Sequence, residues 1–216
     1  MKRALPKSPG RRRAAPAAAE AAELPRREAI LDAALEVITE HGTEGVTHRS
    51  VAAQAGVALG STTYYFASRD ELVREAFRRY VTRVLALLNA ILLERQPKDA
   101  ASVVDFLVAV VRAETAGRWT VIVEYELVLR AARDPELAAD FHRYERALAS
   151  GLAEALERLG APQPFDAART LIALVRGFEL DGLTRANADL DEMKRRLSPV
   201  VELALRGNDS RRKEKS

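Results

Sequence analysis

Apolar residues in this 216-residue chain recur every three or four positions in one segment after another, and no segment alternates apolar with polar residues as a half-buried strand does. That pattern restricts the chain to helices packed on helices, and punctuation divides it into about nine. A first helix covers residues 28–41, with Ile30, Ala33, Ala34, Val37 and Ile38 on one face and Gly42 as terminator. Thr47 caps a short helix over 48–55, and a second short one covers 59–65. Ser68, Arg69, Asp70 and Glu71 spell a capping box that opens a long helix reaching about Leu93. Further helices are predicted over 100–115, 119–132, 135–159 with Asp134 as cap, 166–188 and 191–206, where Pro199 is expected to kink or split the last.

Composition removes several functional classes. The chain has no Cys and three His, which rules out disulfides, thiol chemistry and Cys-bound zinc and leaves little for a His-based metal site; no cofactor is expected. The absence of Cys fits a reducing cytoplasm. No run of 18 apolar residues occurs, so no membrane helix is predicted, and Pro16 and Glu20 interrupt the Ala-rich opening where a signal peptide would need an apolar stretch. Nucleophile motifs, phosphate-binding glycine loops and metal-ligand spacings are lacking, and His142 sits in the charged run DFHRYER, so an enzyme is not expected. Charge is segregated: residues 1–27 carry +6, residues 206–216 carry +3, and the body between them carries −6. Basic ends on an acidic body suggest that the ends meet a polyanion.

The segment GVALGSTTYYFASRDEL, from Gly56 to Leu72, concentrates hydroxyls, three consecutive aromatics and two glycines. Two short helices joined by the Ala55-Gly56-Val57 turn, with the small Ala52 four residues before Gly56, have the spacing of a helix-turn-helix. The pair is too small to bury itself and needs the first helix and the start of the fourth, which gives a head of residues 26–75. Residues 28–72 resemble the DNA-binding head of the TetR family of bacterial transcription regulators, through Ala55, Gly56, Val57, Gly60, Ser61, Tyr64, Tyr65, Phe66, Ser68, Arg69, Glu71 and Leu72. Leu59 stands where that family commonly has Lys, Ala58 where it has Ser, and Thr62 and Thr63 where it has Leu and Tyr, so base preference does not carry over.

The resemblance implies an all-α regulator: a helix-turn-helix head followed by a ligand-binding and dimerising body over 76–206, with a basic arm over 1–25 and a basic tail over 207–216. Its expected partners are a double-stranded DNA operator, a small-molecule effector and a second copy of the chain. Double-stranded DNA would be met by Thr47, His48 and Arg49 at the start of one short helix, and by Leu59, Gly60, Ser61, Thr62, Thr63 and Tyr64 on the next. Arg69 is expected on a phosphate at a helix N-terminus, and Arg11, Arg12 and Arg13 along the backbone or in a minor groove. Phe66 is expected to pack inside the head. In the body the large or polar candidates for a ligand pocket are Phe77, Tyr80, Trp119, Tyr125, Glu126, Phe141 and His142. Glu124 and Glu126 interrupt an apolar run, where a salt bridge with Arg130 or a surface face competes with a ligand contact. The two last helices, rich in Leu and Val from Leu171 to Leu205, are expected to form the homodimer interface.

Overall fold

The computed structural model describes residues 16–116, 121–184 and 189–206. These residues hold nine α-helices, one 3-10 turn and no strand. The helices are α1 Pro16–His41, α2 His48–Gln54, α3 Leu59–Tyr65, α4 Arg69–Arg95, α5 Ala100–Ala116, α6 Val121–Ala131, α7 Pro135–Arg158, α8 Pro164–Thr184 and α9 Leu190–Arg206, with the 3-10 turn Thr43–Gly45 between α1 and α2.

Local chemistry sets most of the boundaries. Thr47 accepts from the Ser50 N–H while the Ser50 hydroxyl takes the Thr47 N–H, a reciprocal cap for α2. Ser68 accepts from the Glu71 N–H to open α4, and the Glu71 carboxylate takes the N–H of Ala67. Asp134 accepts from the N–H groups of Glu136 and Leu137 ahead of Pro135, which needs no donor at the first helical position. Two boundaries differ from those expected. Helix α1 begins at Pro16 rather than near residue 28, and it carries Pro25 inside it. Pro199 does not split α9, because Met193, Leu197 and Val201 are buried on its one apolar face and hold the helix across the missing N–H.

Packing joins the head to the body. Ile30, Leu35 and Ile38 of α1 meet Val51 of α2, Phe66, and Leu72, Phe77 and Tyr80 of α4 in one cluster that continues into Val123, Leu127, Leu137 and Tyr144 of α6 and α7. The apolar core therefore runs from α1, α2 and the start of α4 into α6 and α7 without a break. A second cluster, from α5, α8, α9 and the C-terminal half of α7, builds the far end of the body. Helix α4 runs through both: its first turns belong to the head, while Leu88, Ile91 and Leu92 pack on the second cluster.

Candidate DNA interface and ligand cavity

The turn between α2 and α3 has the geometry a helix-turn-helix requires. Gly56 takes φ +65°, a region that disfavours side chains, and the Val57 N–H reaches back to the Ala52 carbonyl at 3.0 Å. Behind the turn, Phe66 is buried and the Arg27 guanidinium lies 5.3 Å from its ring centroid. Ion pairs tie α1 to α4 beside it: Arg79 and Arg83 both grip Asp32, and Arg27 pairs with Glu75.

The expected DNA residues divide into three groups. Leu59, Gly60, Thr63 and Tyr64 of α3 are exposed, as are Thr47 and Arg49 at the start of α2, while His48 and Ser61 are half-buried. Tyr64 is 71% exposed and donates a long hydrogen bond, 3.4 Å, to Glu23. A Cβ on Gly60 would meet nothing within 4 Å, so packing inside the chain does not demand glycine there.

Thr62 departs from expectation. It is 0% exposed, and its hydroxyl donates to the carbonyls of Leu59 at 2.8 Å and His48 at 3.3 Å, locking α3 onto α2. With its one donor used inside the head and the side chain buried, its hydroxyl is not offered to the surface. Arg69 is also diverted. Its Nε donates to the Val46 carbonyl at 2.8 Å and its Nη2 to the Thr43 carbonyl at 2.7 Å, stitching the α1–α2 turn to α4. Of the five arginines between residues 28 and 80, Arg74, Arg78 and Arg79 are paired with carboxylates and Arg69 with this turn. Arg49 alone among them has no partner among the described residues. Arg11, Arg12 and Arg13 lie outside the described residues.

In the body, α4 to α8 enclose a cavity of about 90 Å³ with mostly aliphatic walls. Charged groups converge on it from three helices: Glu114 of α5, Glu124 of α6, and Arg176 and Glu179 of α8. Arg176 donates to Glu124 at 2.8 Å and to Glu145 at 2.7 Å. Burial opposes the charge on Arg176, but the Glu124 and Glu145 carboxylates outweigh it and raise its pKa. Glu179 is 6% exposed and hydrogen-bonded to Glu114, yet its Oε1 has no partner among the described residues. Burial pushes the Glu179 carboxyl up to about 7, with the Glu114 hydrogen bond opposing, and burial together with the Glu179 charge pushes Glu114 well above the usual range.

Of the residues weighed from sequence for the pocket, Glu124 lines this cavity, while Phe77, Tyr80, Tyr125, Glu126, Phe141 and His142 lie outside it. Phe77 is buried in the head-to-body cluster and stacks obliquely on Phe141, their centroids 6.2 Å apart. Tyr80 donates to Glu124 at 3.0 Å from outside the main cavity. Tyr125 donates to the Arg176 carbonyl at 2.8 Å, and His142 is exposed on the outer face of α7. Trp119 lies outside the described residues. Glu126 has a different duty: its Oε2 accepts from the Thr43 N–H at 2.9 Å and from the Thr43 hydroxyl at 3.2 Å, so it holds the α1–α2 turn. The neighbouring Gly42, at φ +68°, leaves room for it, since a Cβ there would lie 3.2 Å from both Glu126 oxygens. Arg130 pairs with Asp70 at 2.7 Å, not with either glutamate of its own helix.

Glu114, Arg176 and Glu179 are not among the residues expected from sequence. Their signal is present but faint: Arg176 and Glu179 stand three apart within the apolar run LIALVRGFEL, which places two charges on one face of a helix otherwise fit for burial.

Comparison with known proteins agrees with both halves. Residues 30–76 match the family model described as bacterial regulatory proteins, tetR family, and residues 98–207 match that of the tetracyclin repressor-like C-terminal domain. The HTH-type transcriptional regulator BetI of Agrobacterium fabrum is 32% identical over 166 residues, covering 73% of this chain and 74% of that protein. A transcriptional regulator from Rhodococcus sp. Rha1 superposes with a TM-score of 0.73 at 27% identity, over 85% of this chain and 97% of that one. The multidrug binding protein EbrR, in a crystal structure with proflavin, gives 0.57 at 32% identity over 81% and 99%. Among the described residues no helix is long and apolar enough to cross a membrane. The chain is a member of the TetR family of transcriptional regulators, DNA-binding proteins that are not enzymes.

Proposed function

We propose that the protein is a homodimeric repressor that holds a palindromic operator with the exposed face of α3 in each protomer and lets go when a small molecule fills the cavity of the body. The observation that carries this reading is the placement of α6. Glu124 forms part of the cavity wall, and Glu126, two residues on, grips the backbone of Thr43 under the recognition unit. Arg130 on the same helix holds Asp70 at the start of α4. A ligand that displaces Glu124 moves the helix to which the head is fastened at two points. The EbrR complex supports a body of this shape admitting a small molecule.

On the head, Ser61, Thr63 and Tyr64, with Thr47, His48 and Arg49, form the reading and phosphate-contacting surface; Leu59 and Gly60 allow the groove to approach. Arg11, Arg12 and Arg13 add phosphate contacts from the arm, which the acidic head needs. Dimerisation supplies the second half-site. Leu174, Leu180, Leu183 and Leu203 are exposed on α8 and α9, a set of apolar side chains that a second copy would cover, while Leu171, Val175, Leu197 and Val201 are already buried within the protomer.

The test is operator selection from random DNA followed by anisotropy titration, with sedimentation of the free protein. A two-fold symmetric site bound by a dimer supports the reading; a monomer with no sequence preference overturns it. Removing residues 1–15 should make log affinity against log salt shallower by roughly 5 if each arm neutralises about three phosphates.

A further inference from the structure

Resting on the assignment of the body cavity as the effector site, the class of effector follows from its unsatisfied chemistry. Arg176, the one cation in the described wall, is engaged by Glu124 and Glu145. The Glu114–Glu179 pair is left without a cation of its own among the described residues. Glu179 is buried in that wall with Oε1 unpartnered, which an aliphatic cavity tolerates only if something else supplies the missing partner or the group is neutral. The neighbours that face the pair are Glu124 on α6, Tyr144 on α7 and Arg176 on α8, with Tyr80 and Arg83 of α4, Tyr125 of α6 and Glu145 of α7 behind them. The tyrosines are neutral, Arg176 is already shared, and Arg83, which lines a smaller cavity beside Glu114, is held by Asp32.

We propose that the cavity binds an organic monocation, which enters with its charge against Glu114 and Glu179 while its apolar part lies along Leu88, Phe106 and Leu152. In the empty protein the two carboxyls keep a proton between them and burial holds it there. When the cation arrives, that proton leaves to solvent and the pair becomes the counter-ion. Charge in the cavity is thus conserved: one positive charge enters as one leaves. Neutral molecules of the same shape lack this exchange, and anions meet an acidic wall. Such a site selects a permanent cation by displacement of a proton, and its affinity depends on pH even though the ligand does not titrate.

The probe is benzyltrimethylammonium, which carries no ionisable proton, compared with benzyl alcohol and phenylacetate by titration calorimetry on the full chain. Repeating the titration in phosphate and in MES at pH 6.0 counts protons released. The expected result is release of close to one proton at pH 6.0 and almost none at pH 8.5, with affinity rising about tenfold per pH unit from 5.5 to 6.5 and levelling above 7.5. The double variant Glu114→Gln with Glu179→Gln should lose at least about tenfold in cation affinity at pH 7.5 and all proton release, while its benzyl alcohol affinity is unchanged and shows the cavity intact. Failure of the cation to bind, binding without proton release at pH 6.0, or a double variant that binds it like the parent overturns the proposal. A band shift on the selected operator keeps the readings apart: intact operator binding with no cation binding rejects the cation site alone, and cation binding without operator binding rejects the repressor reading alone.

Discussion

The head and the body of this protein use polar side chains in opposite ways. In the head, hydroxyls and Arg49 stand on the surface over a dry core of Ile30, Leu35, Ile38 and Phe66, and the one hydroxyl of α3 that turns inward, Thr62, is satisfied by two carbonyls. In the body, charge is drawn inward until four acidic or basic side chains from three helices face a cavity, one of their oxygens without a partner among the described residues. Exposed polar side chains keep their hydration in the free protein, whereas buried carboxylates are expensive unless something pairs them. On the proposed function, the contrast puts stability in the head and responsiveness in the body.

The largest expected effect tests the head. Phe66→Ala removes a fully buried ring under the recognition unit and should cost about 3–5 kcal/mol in urea unfolding, with operator binding lost alongside. A loss below about 1 kcal/mol would mean that the head core does not rest on this ring.

Next comes a test in the body alone. Glu179 titrates near 7 in the folded protein against 4.5 for an ordinary glutamate, so it favours the fold fully below about pH 4.5 and that advantage is lost as pH rises through about 7. Stability should therefore fall by on the order of 3 kcal/mol from pH 4.5 to pH 8 in thermal unfolding, and Glu179→Gln should flatten that fall. A variant whose pH profile matches the parent would place the buried charge elsewhere.

How much is legible in the sequence follows the same division. The helix-turn-helix can be read because its parts lie within about twenty residues: the Ala52-to-Gly56 spacing, the Thr47 and Ser68 caps and the three aromatics each have a local cause. Thr62 and Arg69 are misplaced by local reading, because which face of a seven-residue helix is buried depends on the helix packed against it. The cavity is not legible at all as a constellation. Glu114, Glu124 and Glu179 lie on three different helices, and only tertiary packing brings them together. Large aromatics draw attention instead, yet Phe77 and Phe141 serve the head-to-body core.

The junction between the regions should show a smaller effect. Glu126→Gln keeps the shape but weakens the hold on Thr43, and the variant should bind operator while the ligand-induced loss of affinity shrinks by about 1–2 kcal/mol. Anisotropy titrations with and without benzyltrimethylammonium measure it; undiminished coupling would move the connection from α6 to α4.

The smallest changes separate side chains within α3. Thr63→Ala should relax preference at one operator position by about 1 kcal/mol, whereas Thr62→Ala should lower stability by about 1 kcal/mol and leave the selected sequence unchanged. Tyr64→Phe should weaken all sequences alike by under about 1 kcal/mol, as loss of one phosphate contact does. Selection profiles for the three variants, run beside urea melts, would expose a reversal of Thr62 and Thr63.

That a ligand in the body governs what the head holds is tested most directly by titrating the selected operator with wild-type protein at increasing benzyltrimethylammonium. Operator affinity should fall saturably, and the cation should bind the DNA-bound protein more weakly than the free protein by the same factor, as linkage requires. An operator affinity unchanged at a concentration that saturates the cavity would contradict it.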